Sequence, residues 1–305
     1  MEQKYPFDEK RFEENAKRFF SAKRAPLWIA VGVGIASIVG GVAAVVGHKR
    51  KAKQQRTLSF DREIRGLEVG NGIEMSLSFG AQQRLTIEAT ERDMKGLMCD
   101  MKDNRLRIYL LPEMLEKRKK CSISVSLALD KLTSLIVGGE AVIYADGINQ
   151  TKEFTIEQMG SHVMGLTVEA ERIKALLTGA FYAGIAINGG GASFAMLGDG
   201  TADLTFNETQ STDCRMAGKC TVCLTGSAKK LVLQASGATE LNASDLMLDK
   251  ANIHLTEKAI AEIYCHEMER SVIQDEAKLT LRGVERGRRN VSIRDDAELL
   301  FAESE

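Results

Sequence analysis

Apolar and polar residues alternate in short runs through the second half of the chain, from Leu132 to Phe301. Examples are "LIVGGEAVIY", "FAMLGDGTADLTF", "LVLQASGATEL" and "VSIRDDAELLF". Alternation of this kind puts successive side chains on opposite faces of a strand, whereas an amphipathic helix repeats its apolar residues every three or four positions. The pattern therefore predicts short β-strands that each turn one face toward a core.

Corners of small or polar residues separate these runs at a nearly constant spacing. From Gly160 onward, successive corners are 19, 19, 20, 19, 20, 18 and 20 residues apart. A period near 20 residues without a helical phrase predicts a parallel β-helix of about nine coils, because stacking joins the inward residues into one core. Leucine-rich repeats are an alternative with the same period, but their fixed Asn and their Leu spacing are absent from this chain. The nine corners are Gly139-Glu140-Ala141, Gly160-Ser161-His162, Gly179-Ala180-Phe181, Gly198-Asp199-Gly200, Gly218-Lys219-Cys220, Gly237-Ala238-Thr239, Glu257-Lys258-Ala259, Asp275-Glu276-Ala277 and Asp295-Asp296-Ala297.

The same alternation predicts which residues of a coil face inward. Before the Gly237 corner, Leu231 and Leu233 alternate with Val232 and Gln234. Both leucines are therefore predicted to lie in the core. Residues 60–131 alternate in the same way but without a regular period, so we predict a β-rich N-terminal part there and the β-helix repeats over 132–305.

A long uncharged segment precedes the strands. Residues 27–47, "LWIAVGVGIASIVGGVAAVVG", contain no charged side chain, and about 20 apolar residues suffice to cross a bilayer. A cleaved signal peptide is the alternative, but the charged tail ahead of it, residues 1–26, is long and the apolar run exceeds a usual signal core. We predict one uncleaved transmembrane helix, followed by a basic juxtamembrane linker at 48–59.

Small residues recur every fourth position within the predicted span, which places them on one helix face. Two helices can approach closely through such a face, so self-association of the span is one interpretation; the other is that small residues are simply frequent in membrane helices. Basic residues flank both ends of the span, so the charge rule does not decide its orientation. The four residues of this face are Gly32, Ala36, Gly40 and Ala44.

Composition excludes some classes of function. The chain has 305 residues, 44% of them hydrophobic and 27% charged, with a formal net charge of −1. It can bury a large core, and its balanced charge gives no reason to expect a nucleic-acid partner. Buried free thiols are the expectation for the cysteines, because their repeat positions do not match and Cys220 and Cys223, three apart in a strand, face opposite sides. The six cysteines are Cys99, Cys121, Cys214, Cys220, Cys223 and Cys265.

No group of residues has the spacing of a catalytic, cofactor-binding or metal site, and we predict none of these. The histidines, His48, His162, His254 and His266, are scattered. "GDGTAD", Gly198 to Asp203, has two carboxylates of a calcium turn but no matching Asp in a neighbouring repeat. The charged cluster that begins at Arg282 is interpreted as a solvated loop, and we find no column of charged residues over three rungs, as a polysaccharide-cleaving β-helix would need. This cluster contains Arg282, Glu285, Arg286, Arg288 and Arg289.

Three features of the chain are typical of a known family. They are the phrase "FDREIRGLEVGNGIEMSLSFGAQQRLTIEAT", the following "DNRLRIYL" and the later "TGA" and "SGA" corners. In these features the chain resembles the GIN-domain proteins, a bacterial group labelled "putative auto-transporter adhesin head domain". The likeness covers about residues 58–301 and is most specific at "VGNGIEMSL", Val69 to Leu77. It implies a right-handed parallel β-helix, export from the cytoplasm and an adhesive role without catalytic residues. The chain departs from this group in its charged lead and in the last three corners, which lack Gly.

Together these observations predict a non-enzymatic, membrane-anchored β-helix that serves as an adhesion, interaction or scaffold module of the bacterial cell envelope. We expect a single pass through the inner membrane with the repeats in the periplasm. The expected partners are the membrane, a second copy through the span, and a protein or glycan ligand. The alternatives are a carbohydrate-active β-helix enzyme and a membrane scaffold that faces the cytoplasm.

Overall fold

A computed structural model describes residues 53–80, 82–116, 123–284 and 289–302. The chain divides into two compact units, Met1–Ala52 and Lys53–Glu305, and the described residues all belong to the second. Within them, no helix combines the length and the apolar character of a membrane span. The predicted tail, the predicted transmembrane helix and residues 48–52 of the linker lie outside the described residues, as do Gly32, Ala36, Gly40 and Ala44. Residues 53–58 of the predicted linker form a strand.

The described fold is a β-solenoid with two very short helices, which confirms the predicted all-β class. The N-terminal elements are β1 (Lys53–Leu58), β2 (Gly66–Val69), β3 (Glu74–Phe79), β4 (Arg84–Thr90), α1 (Glu91–Lys95), β5 (Leu97–Lys102), β6 (Arg105–Leu110), α2 (Pro112–Glu116) and β7 (Ser124–Leu129). The repeating elements are β8 (Ser134–Gly138), β9 (Val142–Asp146), β10 (Ile148–Gln150), β11 (Glu153–Met159), β12 (His162–Glu169), β13 (Arg172–Thr178), β14 (Tyr182–Asn188), β15 (Gly191–Gly198), β16 (Thr201–Thr209), β17 (Ser211–Gly218), β18 (Thr221–Gly237), β19 (Glu240–Leu255), β20 (Ile260–Tyr264), β21 (Glu267–Ile273), β22 (Lys278–Arg282), β23 (Arg289–Ile293) and β24 (Glu298–Phe301).

The repeating strands pair in parallel with the strand one turn later, in two ladders. In the first ladder β8 is followed by β11, β13, β15, β17, the second half of β18, the second half of β19, β21 and β23. In the second ladder β9 and β10 both pair with β12, which is followed by β14, β16, the first half of β18, the first half of β19, β20, β22 and β24. The repeating strands β8 to β24 thus form nine rungs joined by about eight turns, close to the nine coils that the period predicts.

The strands of the N-terminal cap, β1 to β7, do not pair in chain order. The rung of β2 and β3 lies between two others: β6 and β8 both pair with β2, and β7 and β9 both pair with β3. Outside the rung of β6 and β7 the pairing becomes antiparallel: β4 pairs with β7, β1 with β4 and β5 with β6. These antiparallel strands cover the N-terminal end of the solenoid, where a parallel edge would otherwise be open.

The corners share one backbone conformation. The first residue of every predicted corner has a positive φ, from +61° at Gly139 to +120° at Gly198 among the glycines. The last three corners keep this conformation without glycine, with φ of +60° at Glu257, +63° at Asp275 and +56° at Asp295. The loss of Gly in the sequence therefore does not change the corner.

The last three corners correct the prediction that no charged column spans three rungs. Glu257, Asp275 and Asp295 occupy one corner position on successive rungs, and the Glu257 amide donates to Asp275 Oδ2 at 2.9 Å. The next position holds Lys258, Glu276 and Asp296, where Lys258 Nζ lies 3.5 Å from a Glu276 oxygen. These side chains are exposed, so the ion pair contributes little to stability.

The core is the inner side of the two ladders, as the alternation predicts. Leu231 and Leu233 are both 0% exposed, which confirms the predicted register. Phe194 and Phe206 meet edge to face with ring centroids 6.3 Å apart. A buried polar residue, Asn149, replaces a strand partner: its side chain accepts from the Leu132 amide at 2.8 Å and donates to the Leu132 carbonyl at 3.0 Å.

Candidate ligand groove

The histidines and cysteines singled out in the sequence do not come together. Among the described residues, no group of three or more His, Cys, Asp and Glu side chains has the geometry of a metal site. His162 packs edge to face against Tyr182, and His266 against Tyr264. Cys121 and His48 lie outside the described residues.

The described cysteines are free thiols whose surroundings keep them protonated. Burial raises the pKa of Cys99 to about 11 and that of Cys265 to about 12. Burial also raises the pKa of Cys214. Because the thiolate is the reactive form, none of these three is a nucleophile at neutral pH.

Cys220 and Cys223 face opposite sides of the coil, as the sequence predicts. Cys220 lies in the core and contacts the Gly198 carbonyl at 3.4 Å. Cys223 is half-buried on the outer face of β18. Burial, with Asp203 and Asp245 nearby, raises the pKa of the Cys223 thiol. The CxxC spacing therefore brings no two thiols to one metal or redox site.

Residues from four successive rungs line a groove of about 380 Å³ on the outer face of the second ladder. Its floor is a column in which Asp203, Cys223, Asn242 and Glu262 follow one another in register. A parallel column of Thr201, Thr221, Glu240 and Ile260 forms one side. Parallel strands lie about 4.8 Å apart, so each column offers one outward side chain per rung along the solenoid axis.

Two hydrogen bonds fix the ends of this column. The Tyr182 hydroxyl donates to Asp203 Oδ2 at 2.8 Å, and this bond, followed by burial, raises the pKa of Tyr182. At the other end, Arg282 Nε donates to Glu262 Oε1 at 2.7 Å. Arg282 therefore holds a groove residue, whereas the sequence placed it in a solvated loop. Asp203 serves as an acceptor on a strand, and not as part of a calcium turn with Asp199.

The groove lining combines acidic side chains with apolar surface. It contains three carboxylates, from Asp203, Glu240 and Glu262, and no basic side chain. Ile260 is 43% exposed at its edge. The carboxylates and the Asn242 amide can form hydrogen bonds with hydroxyl or amine groups, and the apolar surface between them can pack against a carbon skeleton.

The sequence held a signal for this groove that a search for charged columns misses. Positions 203, 223, 242 and 262 are 20, 19 and 20 residues apart, which is the repeat period itself. They are Asp, Cys, Asn and Glu, so the column is polar but not uniformly charged. Only the register of the strands shows that all four point outward from adjacent rungs.

A second cavity, of about 360 Å³, lies at the N-terminal part between residues 60–64 and Asp130. The Gln83 side chain crosses this region, accepting from the Ile64 amide at 2.9 Å and donating to the Arg62 carbonyl at 2.8 Å. These bonds connect the segment before β2 to the rest of the cap. We assign the cavity to the structure of the cap, and not to a ligand.

Several solved structures share this fold at low sequence identity. A putative adhesin from Parabacteroides merdae has a TM-score of 0.57 and 14% identity, covering 82% of this chain and 96% of that chain. A putative lipid binding protein from Parabacteroides distasonis has a TM-score of 0.55 and 13% identity, with the same two coverages. A putative adhesin from the same species has a TM-score of 0.51 and 12% identity, covering 83% of this chain and 95% of that chain.

The family comparison agrees with the structural one. No curated protein matches the chain. The family model described as "Putative auto-transporter adhesin, head GIN domain" matches residues 64–284, which run from the segment before β2 to the end of β22 and include the whole groove. The chain therefore belongs to the GIN-domain family.

Proposed function

We propose that this chain is a non-enzymatic adhesion or interaction module of the bacterial cell envelope and that the groove holds its ligand. The observation that carries the proposal is a groove with three carboxylates, built from four rungs of a rigid solenoid. A surface of this kind presents side chains at fixed intervals, which suits binding of an extended partner. Two of the structural neighbours are named adhesins, in keeping with such a role.

The groove favours a polar ligand that is bound without being cleaved. Asp203 and Glu262 are three rung steps apart, or about 14 Å at the usual strand spacing, whereas glycosidase carboxylates lie about 5–9.5 Å apart. Glu240 is on the rung next to Glu262, so the pair that could come within that range is Glu240 and Glu262. The Glu262 carboxylate is already bound by Arg282. One neighbour is named a putative lipid binding protein. The three carboxylates of this groove favour a ligand with hydroxyl or amine groups, such as a glycan or a polar protein segment.

Anchoring completes the proposal. In this proposal, residues 27–47 form the transmembrane helix. The solenoid is a right-handed β-helix, and the solenoid lies in the periplasm. Within the span, Gly32, Ala36, Gly40 and Ala44 form the face through which two helices associate. Support comes from the uncharged length of the segment and the small-residue spacing.

The test of the groove is a binding screen of the purified full chain against an array of envelope polysaccharides, other glycans and peptides. We expect a captured ligand to be lost, by tenfold or more in affinity, when Asp203, Asn242 and Glu262 are all changed to Ala, because several hydrogen bonds disappear together. The matched control changes Thr155 and Ser193 to Ala. Both are exposed on the first ladder, so this variant should bind normally.

Two outcomes would contradict the proposal. If the groove variant and the control bind every captured ligand as well as the parent chain, the groove is not the binding site. If a captured glycan is returned shortened, the chain is a carbohydrate-active enzyme and not a binding module. Far-UV circular dichroism of each variant establishes that the solenoid has folded.

A further inference from the structure

The last rung of the solenoid, formed by β23 and β24, exposes side chains that should be in the core. Ile293 is 49% exposed and Phe301 is 47% exposed. Their register partners one rung earlier, Ile273 and Leu281, are 0% and 1% exposed. The same inward positions are thus buried or exposed according to whether another rung covers them.

The backbone of this rung is also open. Among the described residues, β23 pairs only with β21 and β24 only with β22. Each strand therefore presents a row of donors and acceptors on its outer edge. Such an edge is a template for another strand, and only a strand satisfies it fully.

The two ends of the solenoid differ, which limits what can cover this edge. At the N-terminal end, antiparallel β1, β4 and β5 lie outside the parallel rungs. A head-to-tail stack would have to place the parallel last rung on this cap. Two last rungs facing each other form instead a closed pair with two-fold symmetry, in which each copy uses the same surface.

The charges of the rung suit such a two-fold pairing. The corner before β24 carries Asp295 and Asp296 beside a single base, Arg294. At the other end of β24, the Arg289 guanidinium lies 3.7 Å from the centre of the Phe301 ring. Antiparallel pairing of β24 with its copy brings the start of one strand to the end of the other. Carboxylates of each copy then lie toward Arg289 of the second copy.

We propose that the open C-terminal rung binds the same rung of a second copy of this chain, independently of any ligand in the groove. For the two cores to join, inward Leu299 must lie opposite inward Phe301 of the second copy. This register puts Leu300 opposite Leu300 of the second copy, on the two-fold axis. Opposite residues of an antiparallel pair lie about 4.5–5.5 Å apart, within the range of about 4.4–6.8 Å that a disulfide spans.

A cysteine at position 300 tests this register directly. Under mild oxidation, the full-length Leu300→Cys variant should form a disulfide-linked dimer. The matched control is Met247→Cys, because Met247 is 63% exposed on the same ladder but lies in an interior rung. Adding Phe301→Glu to Leu300→Cys should reduce the linked fraction about tenfold or more, since it puts a carboxylate of each copy into the joined core.

The predicted span could also bring two copies together, so each variant is made with and without Gly40→Ile. The proposal requires that linkage through position 300 survive Gly40→Ile and be lost with Phe301→Glu. It is overturned if Leu300→Cys links no faster than Met247→Cys. It is equally overturned if position 300 links to a different protein in membranes, or if Phe301→Glu leaves the linked fraction unchanged.

Discussion

At the scale of single residues, the corners show why glycine marks the period. Gly198, Gly218 and Gly237 stack on successive rungs, and a Cβ added to Gly218 would lie 2.6 Å from the Gly198 carbonyl oxygen. The backbones at this position are too close for a side chain that points toward the preceding rung. A Cβ at Gly160 would meet nothing within 4 Å. Only part of the glycine column is therefore required by contact.

Gly218→Ala should destabilise the solenoid more than Gly160→Ala. Both changes put alanine at a positive φ, which costs about 1–2 kcal/mol. Gly218→Ala also forces two backbones apart, which adds roughly 1–3 kcal/mol. Thermal unfolding followed by circular dichroism on the purified chain measures the difference, with Gly160→Ala as the control. Equal midpoints for the two variants would mean that stacking at this corner does not restrict the side chain.

Residue patterns predicted the corners well because a left-handed conformation selects few residue types. Gly is favoured there, and Asp tolerates the conformation better than most other residues, which explains Asp275 and Asp295. The groove was harder to predict. Asp203 and Glu262 carry no unusual local pattern, and their alignment in one column depends on strand register. The identity of each residue taken alone does not specify this alignment.

At the scale of elements, neighbouring rungs fit each other by size. Thr201, which follows Gly200, donates its amide to the Phe181 carbonyl at 2.9 Å, so Gly200 stacks on Phe181. A Cβ at Gly200 would lie 2.2 Å from a ring atom of Phe181, which is 3% exposed. The large residue of one rung thus occupies the space that the small residue of the next rung leaves.

A double-mutant cycle tests this complementarity. Gly200→Ala alone should destabilise the chain by roughly 1–3 kcal/mol, because the ring has no free space into which it can move. Phe181→Leu alone should cost about 1 kcal/mol or more through lost packing. In the double variant the smaller side chain makes room for the new methyl group, so we expect a coupling free energy of at least about 0.5 kcal/mol. Additive effects in chemical denaturation would show that the two positions are independent.

The order of the cap strands could not be read from the sequence. Alternation and turn residues predicted short strands between residues 60 and 131, and β2 to β7 lie there. The same signals do not say which strand is whose neighbour. Because β6 and β7 pair on the far side of β2 and β3, this order depends on long-range contacts of segments that do not repeat. A fixed repeat period specifies which strands are neighbours, and the sequence of the cap has no such period.

At the scale of the whole molecule, the compartment of the solenoid decides which ligands it can meet. The cysteines do not settle this question. Cys214 and Cys265 are 0% exposed, and burial raises the pKa of both thiols. Such thiols resist oxidation in the periplasm and are equally stable in the reducing cytoplasm. Basic residues flank residues 27–47 on both sides, so the charge rule gives no answer either.

Protease protection of a tag placed after Glu305 measures the orientation. In cells whose outer membrane has been opened and whose inner membrane is intact, we expect the tag to be cleaved, because a long domain can cross the inner membrane regardless of the charge of its flanking loops. A cytoplasmic protein in the same cells serves as the control and should remain intact. If the tag survives until the inner membrane is lysed, the solenoid faces the cytoplasm, and an adhesive role outside the inner membrane is excluded.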